Sequence, residues 1–217
     1  MITFLLSCAL VASSMFLFGL AIDDFYLRLF FKPIPQLCLL FWLFSQKKTT
    51  YRNILGLGLV SCLIADVLLE FRQQFFLQGV IVFLIGHIFY ITAFIKKQPK
   101  LNLHLLLPFT AWGVIIFMTI QNGLGKMYIP VLAYTAVICL MMWRAACLTT
   151  TSYFALIGAV LFAFGDTLIA IDRFYQPISG ARYPIIISYW FAQLFIISTA
   201  KETQTKSEYS STQEVAL

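Results

Sequence analysis

The chain has 217 residues, of which 61% are hydrophobic and only 11% charged, with a formal net charge of +6. A water-soluble domain carries about a quarter charged residues, so this composition excludes a soluble fold of this size. It calls for an all-α, polytopic membrane protein, because a backbone in hydrocarbon must satisfy its own hydrogen bonds.

At about 20 residues per span, the apolar runs predict about eight helices, near 2–21, 29–45, 54–71, 75–95, 102–120, 127–147, 153–172 and 183–199. In the first, Leu5-Leu6-Ser7-Cys8 loosely matches a lipoprotein cleavage box, but no Lys or Arg precedes the stretch, so we expect it to be retained as a span. The second is short and holds Pro33 and Pro35. Short connectors at 46–53, 96–100, 123–126 and 175–182 make sequence neighbours antiparallel neighbours. One transmembrane domain over 1–200 is thus expected, followed by a polar, disordered tail over 201–217.

Eight spans place both termini on one side. That side holds Lys47, Lys48, Arg52, Lys96, Lys97, Lys100, Arg144, Lys201 and Lys206. The far side holds Arg28, Lys32, Arg72, Lys126, Arg173 and Arg182, a bias that favours cytoplasmic termini. Such loop charges are topology signals balanced by acidic lipid headgroups, and no basic-aromatic segment points to a nucleic-acid partner. The five cysteines all lie in apolar spans without CxxC spacing, as small hydrophobes do.

Two aspartates interrupt the third and seventh spans: Asp66 in NILGLGLVSCLIADVLLEF and Asp166 in YFALIGAVLFAFGDTLIAI. An ionised carboxylate at mid-bilayer costs roughly 2.5–3.5 kcal/mol on insertion scales. Two at corresponding positions suggest a membrane-embedded carboxylate pair. ADVLLEF followed by Gly86-His87 is weakly similar to GDTLIAIDRF followed by Ala192-Gln193, an offset that suggests two four-helix repeats. Helices 3 and 7 then run the same way, with both carboxylates roughly 8–9 Å below the far boundary at 1.5 Å per residue.

Other polar groups gather nearby. Lys32 opens the second span, either as a snorkelling residue or as a binding group. His87 and Tyr90 share a helix face three residues apart, and Gln193 lies in the last span; each could bridge helices or meet a ligand. Glu70 and Asp172, at helix ends, read as solvated, and Asp23 and Asp24 as loop residues. There is no HExxH, no His/Cys metal cluster, no GxSxG elbow and no glycine-rich phosphate loop. Acid-base work by carboxylates is the chemistry left, with no metal or organic cofactor expected.

Lys32-Pro33, Asp66-Val-Leu-Leu, Phe83-Leu-Ile-Gly-His87-Ile-Phe-Tyr90, the segment Gly158 to Ala170 around Asp166, and Tyr189-Trp-Phe-Ala-Gln193 occur in that order. The ordered set resembles the YhhN-type lysoplasmalogenase family of eight-helix membrane proteins, over about residues 1–199. Ala65 stands where that family often has Gly, and Gly165 where Ser is common. The resemblance implies hydrolysis of the sn-1 vinyl ether of a lysoplasmalogen to a fatty aldehyde and glycerophosphocholine or glycerophosphoethanolamine. Asp66 and Asp166 would be catalytic, with Lys32 neutralising the phosphate and His87, Tyr90 and Gln193 binding substrate. A lysophospholipid and bilayer lipids would be the partners, and a bacterial cytoplasmic membrane the location. The competing reading is a proton-coupled transporter that uses the two aspartates and His87 as a relay.

Overall fold

A computed structural model describes residues 2–71, 74–149 and 153–214, with side chains described only as far as Lys201. Arg72 lies outside the described residues, as do the side chains beyond Lys201 of the tail expected to be disordered. Nine α-helices and three short 3₁₀ turns, with no strand among the described residues, form eight membrane-length spans. The helices are α1 (Ile2–Ala21), α2 (Phe25–Phe31), α3 (Ile34–Ser45), α4 (Thr50–Glu70), α5 (Phe76–Lys97), α6 (Leu106–Ile120), α7 (Tyr128–Ala146), α8 (Phe154–Phe174) and α9 (Arg182–Glu214), the last spanning with Arg182–Lys201. Each span of 20–22 residues is about 30 Å long, the thickness of a hydrocarbon core. The chain is an integral, multi-pass membrane protein.

The second span departs from expectation in start and continuity. It begins at Phe25, because the Asp24 side chain accepts a hydrogen bond from the Leu27 amide (2.8 Å) and caps α2. It breaks at Lys32-Pro33, where a turn separates α2 from α3. Pro33 and Pro35 have no amide hydrogen, so the backbone ladder fails there and the chain re-enters helix with proline in its first turn. Asp24 is therefore a cap as well as a loop residue.

Core and lipid surface separate cleanly. The buried cluster draws chiefly on α4, α5, α7, α8 and α9, including Leu55, Leu59, Phe94, Phe162, Ile196 and Ile197. Phe4, Leu10, Leu107 and Ile115 are exposed, which in water would be an aggregation surface and in a bilayer is the lipid-facing skin. The most extensive helix pairs are α4 with α5 and α8 with α9. Each crosses at a glycine: Gly86 faces Cys62 and the Gly58 carbonyl, while Gly158 faces Ile196 and the Ala192 carbonyl. On the side of the termini, Arg52 donates to the Phe44 and Gln46 carbonyls (3.1 and 3.0 Å), and Arg144 donates to those of Gln98 and Lys100. Both arginines thereby pin the chain at that edge.

At the far side, the turn between α6 and α7 lies against the end of α8. A Cβ on Gly123 would stand 1.8 Å from the Phe174 carbonyl oxygen. Backbone meets backbone there, with no flexible side chain to yield. Gly123→Ala should therefore cost more than the roughly 1–3 kcal/mol of ordinary overpacking. A clear drop in the thermal midpoint of detergent-extracted protein is the expected readout.

Candidate active site

Asp66 and Asp166 both line one cavity of about 360 Å³, whose wall reaches the far-side end of α8 at Asp172, Arg173 and Phe174. Its apolar wall includes Phe76, Val80, Phe83, Trp112 and Phe162. The two carboxylates differ in their distance from the helix ends more than expected. Asp66 lies four residues from the end of α4, but α8 continues to Phe174, eight residues beyond Asp166. At 1.5 Å per residue these are about 6 Å and 12 Å along the helix axes.

Asp66 is buried and heavily engaged. Its Oδ2 accepts from the Tyr189 hydroxyl (2.7 Å) and from Gln36 Nε2, and that same amide donates to the Tyr189 oxygen. Lys32 Nζ stands 3.6 Å from Oδ1 and donates to the Asp66 backbone carbonyl at 3.3 Å. The ammonium also meets Glu70 Oε1 at 3.0 Å, while Glu70 Oε2 takes Arg28 Nε at 3.3 Å. Arg28 in turn holds Asp23 at 2.8 Å, and Arg182 reaches the same Asp23 oxygen at 3.4 Å. Opposite charges thus alternate from the exposed Asp23 down to the buried Asp66. Two helical i,i+4 pairs, Arg28/Lys32 and Asp66/Glu70, interlock across the α2–α4 contact.

Asp166 has a different neighbourhood. Its Oδ2 accepts from the Tyr134 hydroxyl at 3.0 Å. Among the described residues, no Lys, Arg or His lies within 4.0 Å of its carboxylate. An edge-to-face aromatic cluster connects Tyr189, the partner of Asp66, to Tyr134, the partner of Asp166. Phe162 lies 5.9 Å from Phe83, 5.3 Å from Tyr189 and 4.4 Å from His87 between ring centroids. Such packing leaves Tyr189 little freedom to turn its hydroxyl away from Asp66.

Of the residues singled out from sequence, Asp66, Asp166 and Lys32 lie on the cavity wall. His87, Tyr90 and Gln193 are fully buried behind it. The Tyr90 hydroxyl donates to Gln193 Oε1 at 2.5 Å, and His87 packs against Phe162 and Tyr134 with neither ring nitrogen hydrogen-bonded. Lys32 does not snorkel: its ammonium turns inward to two carboxylates. Glu70 is likewise no solvated end residue, because its side chain is 9% exposed and clamps both cations. Asp172 accepts the Ile178 amide at 2.8 Å and closes the turn after α8. Gln36, Tyr189, Tyr134 and Glu70 were not singled out as site residues. Glu70 follows Asp66 by four residues and Gln36 follows Lys32 by four, which was a readable signal; Tyr134 offers none beyond a hydroxyl in an apolar run. Among the described residues, no three His, Cys, Asp or Glu side chains converge as a metal site would need.

This arrangement stands within a recognisable lineage. The model of the YhhN family matches residues 27–200. The chain belongs to the YhhN family. Its relatives include lysoplasmalogenase TMEM86B of Mus musculus, 29% identical over 91% of this chain and 84% of the relative. Lysoplasmalogenase TMEM86B of Homo sapiens is 32% identical over 78% and 73%, and lysoplasmalogenase TMEM86A of Bos taurus is 31% identical over 70% and 66%. No solved structure matches the chain. In this YhhN protein, the two positions noted as departures from the resemblance each precede a carboxylate, and Gly165 lines the cavity. Ala65 is fully buried, and a Cβ on Gly165 would stand 2.9 Å from Ser188 Oγ.

Breaking a buried ion network by removing one partner costs about 3–5 kcal/mol, because the remaining charges lose compensation. Glu70→Gln leaves Lys32 and Arg28 short of one anion. We expect a lowered unfolding midpoint in detergent with helix content unchanged by circular dichroism at low temperature.

Proposed function

We propose that this protein is a lysoplasmalogenase, hydrolysing the sn-1 vinyl ether of a single-chain plasmalogen in the membrane. One observation carries the mechanism: two carboxyl groups share a cavity, but among the described residues only Asp66 has a cation beside it. A carboxylate in an apolar site stays ionised when it is paired and hydrogen-bonded, and is neutral otherwise. Asp66, held by Lys32, Tyr189 and Gln36, is therefore the anion. Asp166, with Tyr134 as its hydrogen-bond donor, is the acid.

The chemistry follows from that division. Asp166 delivers its proton to the β-carbon of the vinyl ether, which leaves an oxocarbenium cation at the α-carbon. Asp66 stabilises that cation by charge, as the second carboxylate does in glycoside hydrolysis. Water adds to the α-carbon and its proton returns to Asp166. The hemiacetal then collapses: its hydroxyl loses a proton, the C–O bond to glycerol breaks, and the glycerol oxygen is protonated. The products are a fatty aldehyde and a glycerophospho-alcohol, and the site returns to its starting charge. Lys32 acts here as the counter-ion that keeps Asp66 charged. His87, Tyr90 and Gln193 support the wall from behind, with His87 setting the position of Tyr134. We place both termini in the cytoplasm, following the positive-inside bias, and the site in the opposite half of a bacterial cytoplasmic membrane.

Purified protein should release aldehyde from a vinyl-ether lysophospholipid and spare its sn-1 acyl and saturated alkyl analogues. Only the vinyl ether forms a stabilised cation on carbon protonation. A carrier would leave the substrate intact, and comparable fatty-acid release from the acyl analogue would refute the mechanism.

Asp66→Asn and Asp166→Asn should each lower turnover by roughly 10²–10⁴-fold, the range for a general acid or base. Because both act on one transition state, the double variant should be little worse than the poorer single one. Lys32→Ala should act mainly on kcat. Near-normal turnover in either Asn variant, measured on monodisperse protein, would overturn the two-carboxyl scheme.

A further inference from the structure

Of the two cations on the cavity wall among the described residues, Lys32 is committed to Asp66 and Glu70. The other is Arg173. Among the described residues no carboxylate lies within 4.0 Å of it, whereas Arg28 and Lys32 each have two and Arg182 has one. Its guanidinium carbon sits 3.6 Å above the centroid of the Phe76 ring and 5.9 Å from that of Phe174. Both rings line the same cavity, and Arg173 itself is exposed, so it stands at the mouth. Stacking on Phe76 fixes the plane of the guanidinium and leaves its N–H edges free, which suits a planar fork for an oxyanion.

The spacing fits a ligand that joins an anion to the reacting bond. Arg173 follows Asp166 by seven residues on α8, two turns along one face and about 10 Å along the axis. In a lysoplasmalogen, seven bonds separate the vinyl β-carbon from phosphorus. An extended chain covers about 3.5 Å per three bonds, so that reach is about 8 Å. With the phosphate on Arg173, the β-carbon comes to the level of Asp166.

We propose that Arg173 is the phosphate anchor of the site, a binding residue that sets which carbon meets Asp166, and that Lys32 does not contact the phosphate. This rests on the hydrolase reading above, but it is tested separately. Two vinyl-ether substrates are compared, an alkenyl glycerophosphocholine and the same alkenyl glycerol without phosphate. Removing the phosphate should raise the KM of the native protein by roughly 10- to 100-fold, the range for losing a charge-assisted pair. In Arg173→Ala that ratio should collapse to below about threefold, and Arg173→Lys, which keeps the charge but not the fork, should fall between. A second arm uses the saturated alkyl ethers as uncleaved ligands, read by tryptophan fluorescence with Trp112 on the cavity wall. The same collapse should appear in the dissociation constants. If the native protein cleaves no vinyl ether but the binding ratio collapses in Arg173→Ala, the hydrolase reading fails and the anchor stands. An undiminished ratio in both arms, or a ratio that collapses in Lys32→Ala instead, overturns the assignment.

Discussion

The ammonium of Lys32, set between Asp66 and Glu70, is the contact on which the site depends. Without an opposite charge, a carboxylate at the depth of Asp66 would be neutral or would drag water into the helix bundle. The chain meets that need by breaking its second span. Pro33 and Pro35 forbid a continuous ladder, and the turn at Lys32-Pro33 brings α2 to its end beside α4. Asp24 caps the start of α2, so the seven-residue helix holds Arg28 and Lys32 one turn apart, in register with Glu70 and Asp66. A covalent feature of proline thus becomes an electrostatic feature of the cavity. The network reaches the exposed Asp23, which links the buried charge to the polar boundary through residues that each have an opposite neighbour.

On the proposed reading, the two carboxyl groups gain unlike roles from unlike surroundings rather than from mutual contact. A pair that shares one proton divides its labour through direct repulsion. Here, each acid finds its own hydroxyl, Tyr189 for Asp66 and Tyr134 for Asp166. His87 joins the two halves by packing, since its ring meets both Tyr134 and Phe162, and Phe162 meets Tyr189. A change at His87 would therefore be felt at both acids without any hydrogen bond to either.

Much of this was legible from residue order alone. Apolar runs of span length gave the eight spans, because the bilayer sets one length scale for all of them. Asp66 and Asp166 stood out because charge is rare in hydrocarbon. The break at Lys32-Pro33 shows how the same rule misleads locally: apolar content reads as one helix, whereas the missing amides decide continuity. Glu70 was misread because proximity to a helix end suggests solvent, and its burial depends on α2 lying across it. Tyr134 and Tyr189 were hidden among the chain's ten tyrosines. Which of these turns inward is a property of α7 and α9 packing, not of local composition. The extra turn of α8, ending where Gly123 meets Phe174, set Asp166 farther from its helix end than Asp66 for the same non-local reason.

That difference bears on how a lipid could be cut without losing either product in the site. Asp66 lies about one turn from the end of α4, within the charged network, and Asp166 about two turns from the end of α8, beside apolar wall. A vinyl ether entering headgroup-first from the leaflet would point its oxygen toward the boundary and its β-carbon inward. On the proposed reading, the proton would be needed at Asp166 and the anion at Asp66, where the cation would form and water arrive. Cleavage gives one fragment that is purely apolar and one that is charged. The first remains soluble in the leaflet beside the cavity, and the second in the water beyond Arg173. Each product can therefore leave along the gradient it already prefers, so neither departure requires the charged network to open.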